Sequence, residues 1–111
     1  MHKDSKKIKA RIRSAFKKLF NDNIIGFTNF TCCNNCGGAE IRPIVEKDGF
    51  DGWAFYHAQD NECINELGTT HITFGENKKI AKKIIKALED ANLKVSWNGK
   101  MNTRISVDGL K

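Results

Sequence analysis

The stretch Gly52-Trp53-Ala54-Phe55-Tyr56-His57-Ala58-Gln59-Asp60-Asn61-Glu62-Cys63 changes character halfway along, and that change organises the chain around it. Its first half joins aromatic and small residues without a charge, the composition of a strand buried on at least one face. Its second half turns polar and stays so to Gly68, which reads as a loop with room for a turn of helix, a kind of connection that often carries function. An imidazole and two carboxylates thus stand where a strand leaves a sheet.

Downstream, residues 69–75 repeat the strand pattern with Ile72 and Phe74 alternating. Asn77 is suited to cap a helix whose apolar stripe is Ile80, Ile84, Ala87, Leu88 and Ala91, with lysines on its other side and Asn92 as its stop. Leu93, Val95 and Trp97 alternate, Asn98-Gly99 is a turn signal, and Ile105 and Val107 alternate in return, which predicts a terminal hairpin. Upstream, residues 24–30 are β-branched and aromatic and read as a strand, with Gly26 as a candidate bulge. Ala39, Ile41, Ile44 and Val45 outline a further helix in which Pro43 fits best in the first turn, and Lys47-Asp48-Gly49 ends it. From Ser5 to Phe20 the residues Ile8, Ile12, Ala15, Phe16, Leu19 and Phe20 recur at helical spacing among Lys and Arg. Asp4 or Ser5 is the candidate cap of that helix, and Asn21-Asp22-Asn23 tolerates a left-handed stop.

The order α-β-(α)-β-β-α-β-β defines an α+β class, with a mainly antiparallel sheet of about five strands and two to three helices collected on one face. A ferredoxin-like core with additions is one arrangement of that order. At 111 residues the chain has the size of one domain. The expected organisation is a basic amphipathic helix over residues 1–22 and an α+β body over residues 23–111.

Charge is unevenly spread. Residues 1–18 hold eight basic residues against Asp4 alone, leaving 11 basic against 12 acidic in the remainder of a chain of net charge +6. A polyanion or protein partner is therefore expected to meet the N-terminal helix, with Lys6, Lys9, Arg13 and Lys17 as its basic face. The same helix has an apolar face suited to an anionic membrane surface or a partner groove, or simply to its own sheet. The Lys, Asn and Ile bias is also one that AT-rich genomes impose on exposed positions. No window approaches the roughly 18 apolar residues of a membrane span, and no apolar core follows the first charges, so a cytoplasmic location is expected.

Cys32, Cys33 and Cys36 stand together before Gly37-Gly38. In a reducing compartment clustered thiols bind metal or do redox work more often than they form structural disulfides. A structural zinc needs four ligands, and with Cys33 and Cys36 as one knuckle the others would come from Cys32, His57, Cys63 or His71. The redox reading needs Cys-x2-Cys at the start of a helix, where unpaired N–H groups and the dipole stabilise a thiolate. Burial of inert thiols under the sheet is the third reading. His57 with Asp60 forms a candidate acid/base pair or oriented ligand, because a carboxylate on one ring nitrogen sets the tautomer of the other.

Three motifs carry a family resemblance: Thr31-Cys32-Cys33-x2-Cys36-Gly37, the run from Gly52 to Glu62, and Val95-x-Trp97-Asn98-Gly99. Together they resemble an uncharacterised family of small bacterial and viral proteins, a domain of unknown function, over residues 27–108. The resemblance implies that Cys33, Cys36, Tyr56, His57, Gln59, Asp60 and Glu62 belong to one motif set, and it brings no activity with it. Asn61 stands where that pattern has Thr. The strand and helix order is more loosely similar to ferredoxin-like heavy-metal-binding domains, which have Met-Thr-Cys where this chain has Phe30-Thr31-Cys32. The function expected is a thiol or metal site, with zinc or a soft metal as its ion; the alternative is binding of nucleic acid or a protein through the N-terminal helix.

Overall fold

Apolar residues at helical spacing near both ends of the chain cover one face of a sheet in the computed structural model, which describes residues 2–30, 34–75 and 77–111. Helix α1 spans Ser5–Phe20, and Ile8, Ile12, Ala15, Phe16 and Leu19 are all buried along its inner stripe. Asp4 occupies the cap position without a side-chain cap bond. Asn23, at φ 63°, makes the expected left-handed stop. Strand β1 (Ile24–Phe27) follows, then α2 (Asn34–Asp48), β2 (Gly52–Phe55), α3 (Ala58–Leu67), β3 (Thr70–Gly75), α4 (Lys78–Asp90), β4 (Leu93–Ser96) and β5 (Ile105–Leu110). Asn77 caps α4 by accepting the Ile80 N–H at 3.1 Å, and Asn92 ends it at φ 64°.

The five strands form one sheet in the order β1-β2-β3-β5-β4. The β1–β2 pair is parallel and the other three pairings are antiparallel. This is the expected α+β class with a mixed sheet. It is not the ferredoxin-like order, in which an antiparallel strand separates the two strands of each β-α-β unit. Here β1 and β2 pair directly, with Ile24 opposite Gly52 and Phe27 opposite Phe55.

Alternation along β2 sends side chains to two cores. Ala54 and Tyr56 join the main core with Ile72, Phe74, Ile105, Val107 and the inner faces of α1 and α4. Phe55 points the other way, into a smaller core with Ile41 and Val45 of α2, flanked by Trp53 and Phe50. The helices therefore lie on both faces of the sheet, not on one. The reason is the parallel β1–β2 pair, whose α2 crossover must pass over one face while α1 and α4 hold the other.

Three local expectations also change. Helix α2 begins well before Ala39 and carries Pro43 in its interior, despite the lost backbone bond. Close seating on β2 offsets that loss: a Cβ on Gly37 would lie 2.4 Å from the Phe55 ring, so glycine lets the helix descend onto it. Residues 58–67, expected as loop, are a helix anchored by buried Ile64 and closed by Gly68 at φ 73°. Finally, β4 ends at Ser96, and Trp97 belongs to the wider 97–104 loop, where its indole N–H donates to the Lys100 and Thr103 carbonyls.

Candidate functional site

The polar corner where β2 passes into α3 collects several of the expected residues. His57 is the N-cap of α3: its Nδ1 accepts the Asp60 N–H at 3.4 Å, while the His57 N–H donates to Asp60 Oδ2 at 3.1 Å. This reciprocal capping box satisfies two backbone donors that a helix start otherwise leaves open. With Nδ1 accepting, the neutral ring carries its proton on Nε2, which stands 3.3 Å from Asp60 Oδ2. Arg104 completes the corner with both terminal nitrogens on the Asp60 carboxylate, Nη1 to Oδ1 at 3.1 Å and Nη2 to Oδ2, and Nη2 also donates to the His71 carbonyl at 2.7 Å. Thr70 Oγ1 donates to the Asp60 carbonyl at 3.3 Å.

His57 and Asp60 are 6% and 5% exposed, so their polar atoms depend on one another rather than on water. Burial pushes the His57 pKa below its ordinary value, Asp60 opposes that shift, and the Arg104 guanidinium adds to it. The imidazole is therefore held neutral. Tyr56, buried beneath the corner, has its phenol pushed above its ordinary pKa chiefly by burial, against the opposing pull of Arg13 and a hydrogen bond with Thr28. The carboxylate that sequence reading offered as a base is already clasped by a bidentate guanidinium, and of the two ring nitrogens Nδ1 is committed to a backbone N–H while Nε2 faces that carboxylate. The corner ties β2, α3, β3 and the start of β5 together. Arg104 went unrecognised in the sequence because it lies 44 positions from Asp60 and follows no motif.

The other candidates are dispersed. Gln59 and Glu62 are exposed on α3, and Cys63 is a half-buried free thiol on the same helix. His71 is exposed on β3. Cys32 and Cys33 lie outside the described residues, and of Cys36 only its place in the first turn of α2 is described. Among the described residues no three His, Cys, Asp or Glu side chains come together as a metal would require.

A second site emerges from helix packing. Helices α1 and α4 lie side by side on the main core. Lys18 Nζ bonds Asp90 at 3.1 Å, Lys86 approaches the same carboxylate at 3.9 Å, and Arg11 donates to the Asn92 carbonyl at 3.1 Å. The Lys18 hydrogen bond and charge hold Asp90 below its ordinary pKa. A groove of about 220 Å³ between the helices is lined by Lys18, Asp22, Lys83, Lys86, Ala87 and Asp90. Of the α1 residues expected to form a basic face, Lys6, Arg13 and Lys17 are exposed, and Lys9 donates to Asn65 Oδ1 at 2.5 Å. By sequence the net excess of positive charge falls in residues 1–18 and the lysines of the later helix stand apart from it; packing joins the two by laying Lys78, Lys79, Lys82, Lys83 and Lys86 on a helix beside α1. The two helices hold 12 basic residues against Glu89 and Asp90, a net of +10, so the remainder of the +6 chain carries −4.

This charge is costly to the helices that bear it. Neither has an acidic residue in its first turn, where the macrodipole favours one, and α1 has none at all to form stabilising i,i+4 pairs; only Lys17 and Lys18, in the last turn of α1, stand where the dipole favours a cation. The fold and this layer define an α+β domain with one strongly cationic helical face. The chain belongs to the family described as a domain of unknown function, DUF6891, whose model matches residues 4–111. No curated protein and no solved structure matches it.

Proposed function

We propose that this protein is a binding module for nucleic acid, engaging the phosphate backbone through the layer formed by α1 and α4. The observation that carries the reading is the pairing of two adjacent helices whose cations are almost unopposed, with 12 basic residues against Glu89 and Asp90. Solvation alone would be served as well by interleaved Glu and Lys, which also stabilise a helix. An anionic bilayer is the less suitable partner, because a helix lying on a membrane inserts its apolar face, and Ile8 and Ile12 of α1 are fully buried in this fold. Among the described residues no helix is long and apolar enough to cross a membrane.

The test is anisotropy of labelled 20-nucleotide single and double strands between 50 and 200 mM salt. Engagement of about four phosphates predicts that affinity falls on the order of 10²-fold across that range. Lys6→Glu, Lys17→Glu and Lys82→Glu together should abolish binding. Binding that ignores salt, or survives this triple change, overturns the reading. Equal affinity for polyglutamate would move the partner class to acidic proteins, and capture by anionic vesicles alone would move it to membranes.

A second reading rests on Cys36, whose place in the first turn of α2 is where a helix lowers a thiol pKa. Cys33 and Cys36 are then a reactive or zinc-binding pair. Thiol titration across pH, with metal analysis of protein purified under reducing conditions, distinguishes it from the first. Ordinary thiol reactivity and no zinc, with no change in the Cys33→Ser, Cys36→Ser variant, would remove it.

A further inference from the structure

On the α2 face of the sheet, away from the cationic layer, an open crevice of about 720 Å³ runs between α2 and the 97–104 loop. Its size is that of a small-molecule site. The wall is Trp53, and its placement depends on the neighbouring strand. A Cβ at Gly75 would stand 2.4 Å from Trp53 Cε2 and 2.5 Å from Nε1, so the indole lies against β3 only because that position is glycine. Trp53 runs nearly parallel to Phe55, with 15° between the rings and centroids 5.7 Å apart, so the neighbouring ring helps to hold the indole in place. It remains half-buried and lines the crevice.

Arg42 and Glu46 stand one turn apart on α2, both exposed and both lining the same crevice as the indole. Neither has a side-chain ion pair or hydrogen bond among the described residues. Met101 also lines the crevice, 41% exposed, one of three large apolar side chains left so open among the described residues. A flat aromatic wall, one acceptor, one cation and an adaptable thioether define a narrow ligand chemistry. A planar ring can stack on Trp53, N–H groups on its edge can donate to the Glu46 carboxylate, and an anionic substituent can reach Arg42.

We infer that this crevice binds a planar heteroaromatic ligand with N–H donors on one edge and an attached anionic group, the chemistry of a guanine nucleotide. It is independent of the cationic layer, since charge reversal on α1 and α4 leaves Arg42, Glu46 and Trp53 untouched.

The experiment uses guanosine monophosphate as the probe and reads tryptophan emission, with Trp53→Phe as the control in which the remaining Trp97 signal should not respond. Titration should quench the emission of the unaltered protein saturably, and calorimetry should give the same affinity. Glu46→Gln should weaken binding about tenfold, the loss of one charge-assisted hydrogen bond. Gly75→Ala should abolish the quench by lifting the indole from the strand. Should Gly75→Ala fail to fold, Glu46→Gln and Arg42→Ala, both exposed, still decide the matter. No saturable binding at millimolar probe, or unchanged affinity in Glu46→Gln, overturns the inference. Ribose 5-phosphate binding as well as the nucleotide would reduce the crevice to an anion contact at Arg42 and overturn it equally.

Discussion

Asp60 shows how one buried carboxylate can be read as chemistry in a sequence and act as structure in a fold. It accepts from the His57 N–H and from both ends of Arg104 while its own N–H caps back to the imidazole. Removing its charge in Asp60→Asn leaves a three-quarters-buried guanidinium without its counter-ion and weakens the start of α3. We expect a loss of about 2–3 kcal/mol, somewhat under the usual cost of breaking a fully buried pair, measured by urea unfolding. His57 gives a pH signature. Its folded pKa lies below the unfolded value, so the unfolded chain binds the proton first and stability rises with pH across that interval. The contribution is complete above the ordinary histidine value of about 6.5 and is lost as pH falls through the window down to the folded pKa. A pH series of urea midpoints should therefore fall less steeply between 6.5 and 5 in His57→Asn, which keeps a capping oxygen without a titrating ring. Equal slopes in the two proteins would show that the imidazole is not the titrating group.

Elements were legible where period and punctuation agreed. The stripe of α1, the Asn77 cap and Asn92 stop of α4, and the strand character of β2 all follow from local sequence, because backbone preference and burial ask for the same residues there. Helix α3 was missed for a physical reason. Its buried face among the described residues amounts to Asp60 and Ile64, so no apolar stripe announces it, and its cap is a His-x-x-Asp box in place of the usual Ser or Thr form. Helix α2 was misjudged because Pro43 is a poor interior residue and only contact with β2 offsets it. That contact is testable at Gly37. A methyl group there meets the Phe55 ring, so Gly37→Ala should destabilise the protein by about 1–3 kcal/mol despite the gain in helix propensity, read as a lower melting temperature. A neutral or stabilising result would mean that α2 can lift from the sheet without cost.

For the molecule as a whole, the decisive quantity is charge placement. A layer of +10 on a remainder of −4 repels itself and attracts polyanions, so stability and binding should respond to salt in opposite directions. Raising NaCl from 50 to 500 mM is expected to raise the melting temperature by several degrees while it releases nucleic acid. Lys6→Glu with Lys82→Glu should reproduce both effects at low salt, giving a more stable protein that no longer binds. A destabilised double variant would show that these lysines serve packing rather than recognition. One continuous sheet joining all five strands further predicts a single cooperative unfolding transition, followed by coincident fluorescence and circular dichroism curves.

Local sequence carried the helix and strand character of most elements, their caps and stops, and the α+β class, because those depend on interactions between residues a few positions apart. Long-range packing alone settled which groups meet. The pairing of Arg104 with Asp60, the laying of α4 beside α1 and the pressing of Trp53 onto Gly75 are contacts between distant segments. No spacing along the chain encodes such a meeting; it arises when burying several apolar faces at once leaves one arrangement of the sheet and its helices.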